Sequence, residues 1–444
     1  MLMTDDRRQQ LTQRLRGARL YRVYGRVEKV VGLTIEARGP SARIGEVCII
    51  RSGDGQESLC EVVGFRHDLV LLMPLGPIEG LAQGSLVQAT GDSLHIRVGN
   101  DLLGRVVGGL GEPIDSLGPL TGRESARIHR DPPSPLGRPR IDTPLPTGVR
   151  AIDGLLTLGV GQRVGLFAGS GVGKSTLLGM VAQSSEADVN VIALIGERGR
   201  EVREFIERDL GPDGLRRSVV VVVTSDQPPL VRVKGAFVAT AIAEFFRDQG
   251  RSVALMMDSV TRFAMAQREL GLAVGEPPTA RGYTPSVFAS LPRLLERAGR
   301  SQSGSITGIY TVLVDGDDLQ DPIADAVRGI LDGHIVLSRE LANRGQFPAI
   351  DVLQSVSRLM NDLVGHEHSQ AALHLRTLMA AKRDVEDLIR IGAYKPGSDQ
   401  LADEAIAIER ELLEFLRQGV SDKTVFEQTL TAVSELAKGG RTTP

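Results

Sequence analysis

Between Arg163 and Thr176 the chain reads Arg-Val-Gly-Leu-Phe-Ala-Gly-Ser-Gly-Val-Gly-Lys-Ser-Thr, and the helix-forming pair Leu177 and Leu178 follows at once. An apolar run, a glycine-spaced loop and a lysine in that order can grip an anion. Bare backbone at Gly169, Gly171 and Gly173, with Ser170 and Val172 between them, lets several N–H groups converge on a phosphate, and a helix opening at Lys174 adds its positive dipole end. Lys174 can reach terminal phosphates, Ser175 can offer its hydroxyl to Mg²⁺, and Thr176 completes the first turn. The strict phosphate-loop template has glycine at 168, where this chain has Ala168. Alanine is small enough to keep the turn.

Two acids follow apolar runs farther on. Asp258 comes directly after 253–257 (Val-Ala-Leu-Met-Met), and beside a phosphate loop a carboxylate at that place holds the Mg²⁺ shell. After the run 189–195 comes Gly196-Glu197-Arg198-Gly199-Arg200-Glu201. Glu197 can polarise a water for in-line attack on a γ-phosphate, a task of positioning and electrostatics. Read alone, each acid is equally a helix cap or a first-turn acid.

Positioning these groups needs strands that end where the groups begin. From 189 onward apolar runs (189–195, 219–223, 252–257, 306–314) alternate with amphipathic stretches (201–208, 235–249), the pattern of a mostly parallel sheet with helices on both faces and ligands at the carboxyl ends of its strands. Upstream, short β-rich runs at 23–31, 33–37, 46–51, 59–65, 69–73 and 85–89, broken by Gly39-Pro40 and Ser52-Gly53-Asp54-Gly55, predict a small barrel that packs or forms a collar between subunits. A Gly- and Pro-rich stretch, 108–147, should wrap around a domain instead of building its core. Beyond 314 the chain reads as helical, with apolar repeats Leu401, Ala405, Ile408, Leu412, Phe415 and then Phe426, Leu430, Val433, Leu436. Residues 1–20 form a basic amphipathic helix on Leu11, Leu15 and Ala18.

At 444 residues two to four domains are expected, and 41% apolar and 24% charged residues with a net charge of -3 describe a soluble globular chain with no electrostatic call for nucleic acid. No run approaches the ~20 apolar residues of a membrane span. The polar N-terminus shows no signal peptide. Cys48 and Cys60 are expected as buried free thiols in a reducing cytoplasm.

Six motifs taken in order, 168–176, 196–202, 257–263 (Met-Asp-Ser-Val-Thr-Arg-Phe), 275–288 (Gly-Glu-Pro-Pro-Thr-Ala-Arg-Gly-Tyr-Thr-Pro-Ser-Val-Phe), 315–318 (Asp-Gly-Asp-Asp) and 355–358 (Ser-Val-Ser-Arg), resemble the flagellar and type III secretion export ATPases, relatives of the catalytic subunit of rotary ATP synthases. Ala168 is the usual residue of that family. The resemblance implies an α/β fold: a RecA-like phosphate-loop core (93–365) with a small N-terminal β-barrel (21–92), an N-terminal helix (1–20) and a C-terminal helical domain (366–444). It implies ATP and Mg as ligands, with Lys174 and Ser175 on phosphates and metal, Glu197 activating water, Arg198 supporting it, Asp258 completing the metal shell and Arg262 near the γ-phosphate. It further implies Phe347 packing on adenine and Arg358 as an arginine finger into the neighbouring subunit of a homohexamer.

The partners it implies are a stator-like negative regulator at the N-terminal helix, and the export gate, a central stalk protein and chaperone-substrate complexes at the C-terminal face. The place it implies is cytoplasmic, peripheral at the inner face of the cell membrane, with no nucleic-acid partner. Stretches 30–33, 71–76 and 256–265 look flagellar; a virulence-type (injectisome) secretion ATPase is the alternative. A rotary synthase subunit or an RNA-translocating ring helicase fits less well, and a non-catalytic ring subunit would lack an acid at 197.

Overall fold

A computed structural model describes residues 23–53, 55–314 and 320–439. The amphipathic segment 1–20, the motif 315–318 and the tail 440–444 lie outside the described residues. The chain divides into two compact units, Met1–Leu94 and His95–Pro444.

In the first unit β1 (Tyr24–Val31), β2 (Thr34–Arg38), β3 (Glu46–Arg51), β4 (Glu57–Arg66), β5 (Leu69–Pro74) and β6 (Leu86–Ser93) close into an antiparallel barrel in the order β1-β2-β5-β4-β3-β6. The period-2 alternation sends Val27, Ile35, Ile50, Val62, Leu72 and Val87 inward. Cys48 faces Cys60 across β3 and β4 inside the barrel, while the next pair along, Ile49 and Leu59, turns outward. Both thiols are free and buried, as expected, and burial pushes each up to about 12, so neither forms a reactive thiolate at neutral pH.

The second unit is built on one large sheet. Its strands are β8 (Val106–Val107), β10 (Arg163–Ala168), β11 (Val189–Glu197), β12 (Ser218–Thr224), β13 (Ser252–Asp258), β15 (Ser305–Leu313), β16 (Gly333–Leu337) and β17 (Ile350–Ser357). They lie in the order β17-β16-β10-β15-β13-β11-β12-β8, with the short β14 (Gly299–Arg300) antiparallel to β15. A separate ladder joins β7 (His95–Val98) and β9 (Glu124–Arg127). Along that order every neighbouring pair from β16 to β8 is parallel, and β17, like the short β14, runs against its neighbour. Strand β11 is buried along its whole length and β12 carries an unbroken run of five valines, as expected where helices cover both faces.

The region after 314 is not all helical: β16 and β17 are strands. These strands are five and eight residues long and hold apolar runs of three residues or fewer, too short for helical and strand periodicity to be told apart from sequence. The stretch read as one helix at 201–208 is a helix at Gly199–Glu204 that continues as a wide π-wound turn at Phe205–Leu210. This turn packs on the helix Lys174–Ser184, where a Cβ on Gly179 would stand 2.6 Å from the Asp209 carbonyl oxygen.

The Gly- and Pro-rich segment does wrap the sheet unit, pinned by arginines that donate to its backbone or from it. Arg297 Nη1 reaches the Ile128 carbonyl at 2.6 Å, Arg300 Nη1 the Arg140 carbonyl at 2.5 Å, and Arg138 Nη1 the Ala298 carbonyl at 2.8 Å. Arg297 is itself held by Glu244 in a two-pronged pair of 3.0 and 2.6 Å, both side chains 1% exposed. The C-terminal helices share an apolar core with the sheet. Ala405, Ile408, Leu412, Phe415 and Val433 belong to it, whereas Leu401 is exposed. Gly154 leaves room for that packing, since a Cβ there would stand 2.7 Å from Val433 and 2.9 Å from Phe415.

Candidate active site

The strand β10 is hydrogen-bonded between β15 and β16 and ends at the fully buried Ala168. The loop 169–173 leaves it and runs straight into the helix Lys174–Ser184. Two of its glycines take left-handed conformations, Gly171 at φ 79° and Gly173 at φ 91°, which an L side chain adopts only at a cost. Between them Val172 turns inward and is only 1% exposed, packed in the main core. The loop is therefore anchored at its middle while Ser170 stays exposed, its carbonyl accepting from Arg339 Nη2 at 3.2 Å. Lys174, Ser175 and Thr176 sit half-buried in the first helical turn, next to the backbone N–H groups that a helix start leaves unpaired.

Asp258 ends β13, two strands from the loop, with β15 between. Lys174 spans that gap: its Nζ lies 2.5 Å from Asp258 Oδ1. Glu197 ends β11 on the far side of β13, and its direction is set by a bulge. The register with β12 slips between Ile195 and Glu197, and Gly196 has φ 73°. Glycine is also needed there because a Cβ would meet Arg262 Cβ at 3.0 Å. Arg262 stands in the first turn of the helix Val260–Val274, its backbone N–H donating to the Ser259 hydroxyl at 3.2 Å.

Burial, then the negative charge of Asp258, raises Glu197 to about 7, with Lys174 and Arg262 pulling the other way. Among the described residues the buried Glu197 Oε1 and Arg262 Nε have no hydrogen-bond partner. Buried polar atoms in proteins are nearly always satisfied. An acceptor and a cationic donor left open beside a glycine loop, with Lys174 and Asp258 between, suit a phosphate chain with its metal and water.

Three other sequence-predicted residues stand apart from this cluster. Arg198 is 76% exposed and pairs with Glu201 at 3.0 Å; it reaches Glu197 only through Glu201, which hydrogen-bonds to Glu197. Phe347 is 50% exposed, and its Cδ1 lies 4.0 Å from where a Cβ of Gly173 would be, so the ring flanks the loop from outside. Its carbonyl accepts from Gln418 N at 2.9 Å.

Arg358 lies at the opposite end of the sheet. Its N–H donates to the Asp332 carbonyl at 3.1 Å, and the Asp332 carboxylate accepts from the N–H of Arg163, where β10 starts. The loop leaves the other end of β10, about 17 Å away for a six-residue strand. One residue that sequence reasoning missed joins the cluster: buried Thr311 on β15, Oγ1 2.8 Å from Asp258 Oδ1. Its one signal was a hydroxyl inside an apolar run.

A parallel sheet carrying a phosphate loop, a lysine-paired acid after one strand and a buried acid after the next defines a phosphate-loop nucleotide-binding protein. Residues 148–357 match the ATP synthase alpha/beta family nucleotide-binding domain, 27–91 the beta-barrel domain of that family, and 364–435 the T3SS EscN ATPase C-terminal domain. The chain is 56% identical to the flagellum-specific ATP synthase of Bacillus subtilis over 94% of its own length and 95% of the relative's. It is 55% identical to the type 3 secretion system ATPase of Xanthomonas euvesicatoria, over 94% of each chain. The assembled ATPase EscN from enteropathogenic E. coli, solved in complex with its central stalk EscO, superimposes with a TM-score of 0.87 at 48% identity, covering 93% of this chain and 100% of that one. The chain belongs to the family of flagellum-specific and type III secretion ATPases. It is an ATP-hydrolysing enzyme with the α/β core, N-terminal barrel and C-terminal helices of that family.

Proposed function

We propose that the chain hydrolyses MgATP in a homohexameric ring and that hydrolysis drives protein export through the flagellar apparatus. The observation that carries the site assignment is the convergence of Lys174, Asp258, Glu197 and Arg262 from four different elements on the mouth of the loop, with Glu197 Oε1 and Arg262 Nε left unpaired. The backbone of 169–173 and Lys174 hold the phosphates. Ser175 and Asp258 would hold Mg²⁺, which would supply charge neutralisation to the phosphates. Ionised Glu197 accepts a proton from a water aligned with the γ-phosphorus; the new O–P bond forms as the bond to the bridging β–γ oxygen breaks. Lys174 and Arg262 balance the charge on the leaving and transferred oxygens. Arg198 steadies Glu197 by way of Glu201, and Phe347 packs on adenine.

Arg358 completes a neighbour's site. Its position at the far end of its own sheet supports this, because there it stands away from its own phosphate loop. Residues 1–20 bind a stator-like negative regulator, and the C-terminal face of 366–444 meets the export gate, a central stalk protein and chaperone-substrate complexes. The stalk complex of EscN supports the stalk assignment. The enzyme works in the cytoplasm, peripheral at the inner membrane face, without nucleic acid; no helix among the described residues is long and apolar enough to cross a membrane. An injectisome role is the second reading, favoured by the 55% identity to the Xanthomonas enzyme.

Phosphate release with Mg²⁺ tests the site. Lys174→Ala and Glu197→Gln each lose about 10²-fold or more, as when one charge-stabilising group is removed; full activity in either sinks the assignment. Arg358→Ala loses about 10³- to 10⁵-fold while nucleotide binding persists. Specific activity should rise steeply with protein concentration; a flat curve down to monomer refutes the shared site. Restoration of swimming to a strain lacking its flagellar ATPase separates the flagellar from the injectisome reading.

A further inference from the structure

The strand between the phosphate loop and Asp258 is not a passive spacer. β15 pairs with β10 on one side, where Thr311 is opposite Leu166, and with β13 on the other, where Tyr310 is opposite Met257. Thr311 thus stands level with Asp258 at the end of β13 and two residues short of the end of β10. Its side chain is fully buried, and its Oγ1 lies 2.8 Å from Asp258 Oδ1 and 3.2 Å from the Met257 carbonyl. A hydroxyl has one proton to give. The nearer, charged oxygen takes it, because hydrogen bonds to ionised acceptors are the stronger ones.

We infer that Thr311 is a positioning residue for the hydrolysis reaction: its hydroxyl orients the carboxylate of Asp258. Lys174 Nζ reaches the same oxygen, Oδ1, at 2.5 Å. A carboxylate pinned at one oxygen by two donors from two different elements presents the other, Oδ2, in a fixed direction. That is the oxygen left to the metal's shell. Lys174 alone cannot fix it, since the lysine has a flexible stem and must also serve the phosphates. Threonine suits the task because a β-branched side chain on a strand has few rotamers, so the hydroxyl is held in place at little cost. A second threonine ties the same corner: the Thr261 hydroxyl accepts from Leu313 N at 2.8 Å, locking the helix after Asp258 onto the end of β15.

The inference rests on the reading of Asp258 as a metal-shell residue. Its test therefore separates the two. Binding of a fluorescent ATP analogue is titrated with and without Mg²⁺ for wild type, Thr311→Val and Thr311→Ser, with Asp258→Asn as the reference, beside steady-state phosphate release. Thr311→Val keeps the β-branched shape and deletes the hydroxyl. The expected result is unchanged metal-free affinity, a Mg²⁺-dependent gain in affinity cut about 10-fold, a matching fall in kcat, and recovery to within about twofold in Thr311→Ser. If Asp258→Asn abolishes the Mg²⁺ gain and Thr311→Val leaves it intact, the positioning role is overturned while the site assignment stands. If Thr311→Ser is as damaged as Thr311→Val, shape and not the hydroxyl matters, which also overturns it. Should Thr311→Val fail to fold, Thr311→Ala takes its place in the same comparison. If Asp258→Asn itself keeps the full Mg²⁺ gain, it is the underlying reading that fails.

Discussion

In the proposed mechanism Glu197 serves the site at the expense of the fold, and the size of that conflict can be measured. Burial and the charge of Asp258 lift the carboxyl from 4.5 to about 7. In the folded chain it therefore keeps a proton that the unfolded chain releases above pH 4.5. The raised value sets the sign: below about pH 4.5 the group costs nothing, stability falls as pH rises toward about 7, and above that the loss is complete. At about 1.4 kcal/mol for each tenfold change in proton affinity, the complete loss is on the order of 3 kcal/mol. Glu197→Gln keeps the shape and removes the titration. In nucleotide-free protein the variant should exceed wild type by less than about 1 kcal/mol at pH 5 and by about 2–3 kcal/mol at pH 8. Urea unfolding at the two pH values measures the gap, and phosphate release confirms that the more stable variant is the inactive one. Lys174→Ala should widen the gap, because Lys174 holds the Glu197 value down. A gap that is equal at pH 5 and pH 8, or a variant less stable than wild type at pH 8, would refute the reasoning.

The same carboxyl predicts an acid limb in kcat/KM, with activity rising tenfold per unit up to about pH 7 and level above it; a profile flat from pH 5.5 to 8 contradicts Glu197 as the base. Breaking the buried Arg297–Glu244 pair with Arg297→Ala leaves the carboxylate only its longer contacts to Arg130 and Arg247 and frees the segment at Ile128, so the sheet unit should lose about 3 kcal/mol in chemical unfolding. Gly173→Ala forces an alanine into φ 91°, which costs about 1–2 kcal/mol and weakens ATP binding; unaltered affinity and stability would show that the loop adapts freely. In native protein Cys48 and Cys60 should resist a thiol reagent and react only as the barrel unfolds, so rapid modification under native conditions argues against their buried pairing across β3 and β4.

Much of the site was legible in sequence because its parts are local. A glycine loop, its lysine and the acids after apolar strands are each announced within about ten residues, and the alternation of strand and helix puts them at one edge. The barrel was legible for the same reason, through Gly-bounded strands of alternating burial. What sequence could not show depends on sheet order. Thr311 matters only because β15 lies between β10 and β13, an arrangement no local pattern encodes. Strands β16 and β17 were missed because short apolar runs carry no period, and the π-wound turn at 205–210 because Gly179 allows a backbone contact that hydrophobic spacing does not report. The open atoms of Glu197 and Arg262, by contrast, became visible only with coordinates.

Val172 gives the phosphate loop a property of its own. With that side chain embedded in the main core, the loop keeps its shape only while the core around it is intact. Binding energy and folding energy are then drawn from the same contacts: ATP at a hundredfold excess over Kd should stabilise the folded chain by about 2.7 kcal/mol. Read in reverse, loosening the core around Val172 should weaken the grip on nucleotide. The loop thereby ties the occupancy of the site to the integrity of the interior behind it.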